Sequence, residues 1–261
     1  MVLTIRREGR VAVLELNRPD RLNALTGELH DALNVAVADA ARDDGVGCVV
    51  VTGAGRAFCA GGDTRSGGRR ETGPQSQEQR VDAMVHHAET VKLLHMMPKP
   101  TLAIVNGAAA GAGLALALAC DMRIAAADAI MTTAYIRLAL SGDFGCTYFL
   151  TRLVGPAMAS QLMFLSEKIQ MDRAAQLGLV NRVVPSDDLL AEGMRMAHAL
   201  GAMPPVTLRL MKRNIAAASG AGFDEMIERE AAAMVRCTKT QDAKEALAAR
   251  REGRPAVFVG Y

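Results

Sequence analysis

The spacing of apolar and polar positions predicts alternating strands and helices. Val2 to Arg7 and Val11 to Leu16 flank Glu8-Gly9-Arg10, a hairpin pattern with apolar residues at 11, 13 and 14 in its second arm. Thr26 is placed to cap a helix in which Leu29, Leu33, Ala36, Val37 and Ala40 recur at helical spacing, with Gly45 as its stop. Cys48 to Val51, an unbroken apolar run between Gly47 and Gly53, predicts a strand covered on both faces. Residues 64–80 hold four Arg, three Gly and a Pro but no large apolar side chain, which predicts a surface loop, and a helix is expected from Val81 to Met97. Further on, the pattern predicts a strand over Met122 to Ala126, an irregular segment to Asp143, and helices over 144–153 and 157–165. A helix capped by Asp172 and stopped by Gly178 follows, then a last strand over Leu179 to Val184. From Ala191 to Arg251 the pattern is helical, with breaks at Pro204-Pro205, Ser219 to Gly222 and near Thr238. The whole reads as α/β, with a core over 1–195 and a helical region over 196–261 whose apolar faces need a partner.

One stretch changes the picture if taken alone. Thr101 to Cys120 carries no charge, and about 20 apolar residues are enough for a membrane helix. Asn106, Gly107, Gly111 and Gly113 interrupt it, and Pro98 and Pro100 precede a short β-branched opening. A buried strand, a glycine turn and a buried helix are therefore expected, and no membrane span.

Charge and composition remove other functions. Lys and Arg total 30 against 28 Asp and Glu, and aromatics are 3% with no Trp. The chain thus lacks both the basic stripe and the stacking platforms of nucleic-acid binders. The five cysteines, at 48, 59, 120, 146 and 237, form no Cys-x-x-Cys pair and no zinc spacing with His, so no metal site is expected. A reduced, cytoplasmic setting fits them, and Met1 to Glu8 has no signal-peptide core.

Candidate chemistry lies in two glycine-rich strand-to-helix turns, Gly53 to Asp63 and Asn106 to Leu114. Such turns bring backbone close to a ligand and leave N–H groups aimed at it, most strongly where a helix starts. Neither is a P-loop, since no Gly-Lys-Ser/Thr follows, and neither has dinucleotide-fold spacing.

Taken in order, the motifs resemble those of the crotonase (enoyl-CoA hydratase/isomerase) superfamily. They are Leu16-Asn17-Arg18-Pro19, Leu22-Asn23-Ala24-Leu25, Phe58-Cys59-Ala60-Gly61-Gly62-Asp63, Lys99-Pro100-Thr101, Cys120-Asp121, Leu153-Val154-Gly155, Ala174 to Val180 and Arg254 to Phe258. The resemblance implies a right-handed spiral of strand-strand-helix turns and a C-terminal helical region that builds trimers or hexamers. It also implies an acyl-CoA thioester substrate with coenzyme A arriving as part of it, and no separate cofactor. By position it implies an oxyanion hole from the backbone amides of Ala60 and Ala112. Substrate contacts are implied at Arg18, Ala24, Phe58, Ala60, Gly61, Gly62, Asp63, Gly111 and Phe258.

The chain departs from the hydratase pattern where proton transfer is decided. The two positions at which typical hydratases hold glutamates read Ala115 and Tyr135. Asp143 stands where the superfamily's 4-chlorobenzoyl-CoA dehalogenases carry an aspartate nucleophile, and naphthoate synthases a catalytic Asp close by. It is the candidate acid/base or nucleophile, with a helix cap as its alternative reading. Tyr135 either donates a hydrogen bond near the acyl α-carbon or walls the acyl pocket. His86 and His87 lie near the place of the dehalogenases' water-activating His, with solvent exposure as the alternative. Hydratase or isomerase chemistry is therefore expected, with hydrolase or dehalogenase-like chemistry through Asp143, or a binding module without catalysis, as the competing readings.

Overall fold

A computed structural model describes residues 1–64 and 76–261. In chain order its elements begin with β1 (Leu3–Glu8), β2 (Val11–Leu16), α1 (Gly27–Arg42), β3 (Cys48–Gly53), β4 (Ala57–Cys59), α2 (Gln77–His87) and α3 (Glu89–Met96). Next come β5 (Thr101–Val105), β6 (Ala108–Ala110), α4 (Ala112–Ala119), β7 (Met122–Ala126), β8 (Ile130–Thr132) and α5 (Cys146–Leu165). The chain ends with β9 (Ile169–Gln170), α6 (Met171–Gln176), β10 (Arg182–Val184), α7 (Leu189–Gly201), α8 (Pro205–Ala218), α9 (Phe223–Thr238) and α10 (Gln241–Glu252).

Two sheets share these strands. The larger runs β1-β2-β3-β5-β7-β10 and the smaller β4-β6-β8-β9. Each turn of the chain gives one strand to the large sheet, one to the small sheet and then a helix: β3-β4-α2, β5-β6-α4 and β7-β8-α5. This is the strand-strand-helix repeat expected above. All six residues of β3 are buried, as its unbroken apolar run requires, and it pairs in parallel with β2 and β5. The uncharged stretch divides as expected into fully buried β5, a turn and fully buried α4. No helix among the described residues is long and apolar enough to cross a membrane.

Several boundaries differ from the expected ones. The helix placed at Val81 starts at Gln77, because Ser76 and Gln79 form a reciprocal capping box, and it breaks at Ala88. Residues 76–80 thus leave the expected loop, and 65–75 lie outside the described residues. Asp172 sits in the first turn of α6 behind Gln170, so it does not cap that helix. The last strand is only Arg182–Val184, while Leu179 and Val180 are buried ahead of it. The short strands β4, β6 and β8 carry too few residues to show a period of two, and the sequence pattern passes over them.

The helical region expected from residue 196 begins inside α7, and α7 itself belongs to the core. Cβ atoms added at Gly193 and Gly47 would lie 2.5 Å from Ile104 and 2.4 Å from the Gly201 carbonyl, so glycine sets this close approach. Beyond it, α8 is pinned by Lys212, whose ammonium donates to the Leu94 and Lys99 carbonyls and pairs with Asp121 at 2.8 Å. Asp121 in turn accepts the Thr101 N–H and hydroxyl. By contrast α9 buries no residue, and Met211, Ile215, Phe223 and Met234 are exposed.

Candidate active site

The first glycine turn is held from the N-terminal side by Asn23. Its side chain is fully buried, accepts the Arg18 N–H at 2.9 Å and donates to the Ala54 and Ala57 carbonyls at 2.9 and 2.8 Å. Arg18 donates to the Ala24 carbonyl and pairs with Asp63 at 2.9 Å. Of the expected substrate contacts, Arg18, Ala24 and Asp63 thus tie the N-terminal segment to the turn. Phe58 is fully buried in the core and offers no side-chain surface to a ligand.

The amide expected from Ala60 is already committed. Leu22 and Asn23 adopt left-handed φ of 51° and 55°, which turns the Leu22 carbonyl toward the Ala60 N–H, and the two bond at 3.0 Å. Two residues on, a parallel bridge joins Leu25 to Gly62. The Leu25 N–H donates to the Gly61 carbonyl at 2.8 Å and the Asp63 N–H to the Leu25 carbonyl at 3.0 Å. The bridge takes both main-chain groups of Leu25 but, on the other strand, only the Gly61 carbonyl and the Asp63 N–H, so the Gly62 N–H faces away from it.

The second turn meets the first here. Gly61 has φ of 89°, and a Cβ on it would lie 2.9 Å from the Ala110 carbonyl and 3.6 Å from the Ala112 nitrogen. A Cβ on Gly113 would lie 2.1 Å from the Cys59 carbonyl, so only glycine lets α4 start against β4. Ala112 opens α4, and its amide is one of the first-turn donors that a helix leaves without an intrahelical acceptor. Its φ is not positive, so its Cβ costs no backbone strain. The helix dipole adds partial positive charge at this end.

A carboxylate is delivered to the same place. Tyr135, 6% exposed, opens a 3-10 turn over Tyr135–Leu138, and its hydroxyl donates to Asp143 Oδ1 at 3.0 Å. The Tyr135 ring lies against Gly111, whose Cβ would be 3.6 Å from Cε1, and thus against the start of α4. The cap reading of Asp143 does not hold. The cap of α5 is Gly145 with no side-chain bond, and the Cys146 N–H takes the Asp143 main-chain carbonyl at 3.0 Å. Burial raises the Asp143 carboxyl above the usual range, and the Tyr135 hydrogen bond offsets this in part. Ala115 is fully buried in α4.

The two candidate histidines separate. His86 is exposed, 3.8 Å from Asp31. His87 stacks on His30 with centroids 4.4 Å apart and planes 11° from parallel, and His30 packs against Phe144, the neighbour of Asp143, at 5.1 Å. His30 belongs to none of the motifs above. It precedes Leu33 and Val37 at three- and seven-residue spacing, which places it on the buried face of α1. Phe258, half-buried, lies on the C-terminal tail, where the Val259 and Gly260 N–H groups bond to Asp242 and the Val257 N–H to Glu245. Its segment's hydrogen bonds run to α10 rather than to the glycine turns.

Known proteins resemble the chain over nearly their full length. The chain is 34% identical over 251 residues to the short-chain-enoyl-CoA hydratase of Clostridium acetobutylicum, covering 96% of this chain and 94% of that one. It is also 34% identical over 253 residues to the 1,2-epoxyphenylacetyl-CoA isomerase of Escherichia coli, covering 97% and 96%. The crystal structure of an enoyl-CoA hydratase from Polaromonas superposes with a TM-score of 0.91 at 34% identity, covering 98% and 99%. With the family model for enoyl-CoA hydratase/isomerase matching residues 6–260 as well, two converging glycine turns on a strand-strand-helix spiral have one reading: the chain is an acyl-CoA enzyme of the enoyl-CoA hydratase/isomerase family.

Proposed function

We propose that the protein is an isomerase of β,γ-unsaturated acyl-CoA thioesters, with Asp143 as its single proton carrier. The observation that supports this is a half-buried carboxylate with a raised pKa, bonded to a Tyr135 ring that lies against the start of α4, while the hydratase positions hold Ala115 and Tyr135. Hydration needs one group to deprotonate water and another to protonate the α-carbon, whereas a double-bond shift needs one group that takes a proton and returns it.

In this reading the thioester oxygen sits between the Gly62 and Ala112 amides. The Asp143 carboxylate removes an α-proton, the C–H electron pair moves into the enolate, and the two amides and the α4 dipole stabilise the oxyanion. Asp143 then returns the proton to the γ-carbon as the enolate collapses to the conjugated thioester. No oxidant or cofactor enters, since every bond broken is a C–H or π bond that reforms within the substrate. Burial raises the Asp143 carboxyl, which makes its ionised form a stronger base for the α-proton. Asp143 is also bonded to a phenol rather than to a histidine that could activate water for ester hydrolysis.

We also propose that the exposed apolar residues of α8 and α9 are covered by self-association into three or six copies. The test is Asp143→Asn assayed with a β,γ-unsaturated hexenoyl-CoA, following the absorbance of the conjugated product. The amide keeps the shape but cannot take a proton, so turnover should fall by about 10²-fold or more with thioester binding retained. Near wild-type turnover, or a wild-type protein that hydrates a conjugated enoyl-CoA far faster than it isomerises, would overturn the proposal.

A further inference from the structure

The geometry points to Tyr135 as a positioning residue that acts through Asp143, occupying Oδ1 so that Oδ2 alone meets the acyl α-carbon. This rests on the reading of Asp143 as the proton carrier and adds what aims it.

The ring has little freedom. On one side a Cβ at Gly111 would lie 3.6 Å from Tyr135 Cε1 and 3.9 Å from Cζ. On the other a Cβ at Gly142 would lie 3.6 Å from Cδ2 and Cε2. Both glycines have positive φ, 54° and 106°, so the backbone is shaped on both sides to admit the ring. Rotation about χ2 leaves the hydroxyl where it is, on the ring axis, and it is bonded to Asp143 Oδ1 at 3.0 Å. The single hydroxyl proton goes to Oδ1, while the Asp143 main-chain carbonyl, 3.4 Å from the hydroxyl, accepts the Cys146 N–H at 3.0 Å.

The carboxylate needs such a tether because its own segment is strained. Gly142, Phe144 and Gly145 all have positive φ, and for Phe144, at 54°, no glycine relieves the cost. Such strain persists only where the surroundings hold it. Burial also keeps the phenol protonated beyond its ordinary range, so it serves as a donor and does not compete for the proton that Asp143 carries.

The ionisable groups around Asp143 are few. Tyr135 touches it. Cys146, at the head of α5, is pushed up to about 12 by burial. Beyond Phe144, His30 is lowered to about 4 and His87 is lowered by burial, with exposed His86 and Asp31 behind them. His30 also titrates in acid but is unchanged in the Tyr135→Phe variant, so movement of the acid limb between variant and wild type is what reports Asp143. The Tyr135 hydrogen bond holds that limb down against burial.

The test is Tyr135→Phe, which removes only the hydroxyl, read by exchange of the α-protons of butyryl-CoA in heavy water by proton NMR across pH. Exchange breaks and reforms one C–H bond at the α-carbon, so it follows Asp143 whatever the chain's full reaction is. Losing a hydrogen bond to a charged group should cut the exchange rate at neutral pH about tenfold. The acid limb should move to higher pH, with the half-saturating thioester concentration unchanged. An acid limb that coincides with the wild type would overturn the inference, as would a weakened half-saturation with an unchanged maximal rate, which would make Tyr135 a pocket wall. Asp143→Asn in the same assay separates the two levels: if it exchanges normally the proposed function itself falls, and if it is inert while the Tyr135→Phe limb stays put only the positioning role falls. Should Tyr135→Phe fail to fold by circular dichroism, Gly142→Ala is the second probe. Its methyl would press on the ring and on Met163, 3.1 Å away, and must lower exchange without changing half-saturation.

Discussion

Acid should destabilise this protein through His30 before it reaches most carboxylates. His30 is 7% exposed, its Nδ1 has no hydrogen-bond partner among the described residues, and burial beside His87 lowers its pKa from 6.5 to about 4. The folded value lies below the unfolded one, so between about pH 6.5 and 4 the unfolded chain holds a proton that the native protein lacks, and stability falls as pH drops through that window. At 1.36 kcal/mol per pH unit, His30 alone should remove about 2 kcal/mol on going from pH 7 to 5, and about 3 kcal/mol by pH 4. Urea unfolding followed by circular dichroism at fixed protein concentration measures this, with His30→Phe as the comparison because the ring still packs between His87 and Phe144. The difference between variant and wild type should grow in the variant's favour by those amounts as pH falls, cancelling the carboxylates common to both. Parallel pH dependences for the two proteins would refute the reasoning, since His30 would then be charged or solvated in the native state.

Ala112→Pro should leave the fold intact and lower turnover by about 10²–10³-fold, because proline suits the first position of a helix and removes only the amide proposed to hold the oxyanion; a fully active variant would show that this amide is not used. Light scattering at micromolar concentration should give three or six copies, and a monomer would leave the exposed face of α8 and α9 without the partner assigned to it.

The spiral was legible where apolar runs were long. β3, β5 and α4 are buried throughout, and their runs carry no charge between their glycine punctuation. The breaks of the C-terminal helices were legible too, because Pro205 opens α8 and the Ser219 to Gly222 stretch separates α8 from α9. What the pattern could not show is the second sheet. β4, β6 and β8 are three residues each, and what makes them strands is their pairing with one another across the spiral, a contact between distant segments. The capping box at Ser76 was readable from Ser and Gln at the right spacing, but it lay inside a segment whose polarity had already suggested a loop.

The site divides along the same line between local and distant causes. Residue type and order placed Asp143, Tyr135 and the two turns in one neighbourhood by resemblance, yet which amide remains available was decided by φ at Leu22 and Asn23, two residues that no glycine marks. Those angles aim the Leu22 carbonyl at Ala60, which is why the donor proposed here lies further along the turn, at Gly62. The Tyr135 to Asp143 bond is hidden in the same way. It spans eight residues across a 3-10 turn and a segment with positive φ at Gly142, Phe144 and Gly145, of which only the two glycines advertise themselves. A phenylalanine held at φ of 54° costs energy that the core has no use for, since a glycine or asparagine there would fold more easily. Its ring packs on His30, itself buried with a nitrogen that has no partner among the described residues, so two local penalties meet beside one carboxylate. If Asp143 is the proton carrier proposed above, penalties that stability alone would not retain are what such a site should carry, with His30 and Phe144 in its supporting structure.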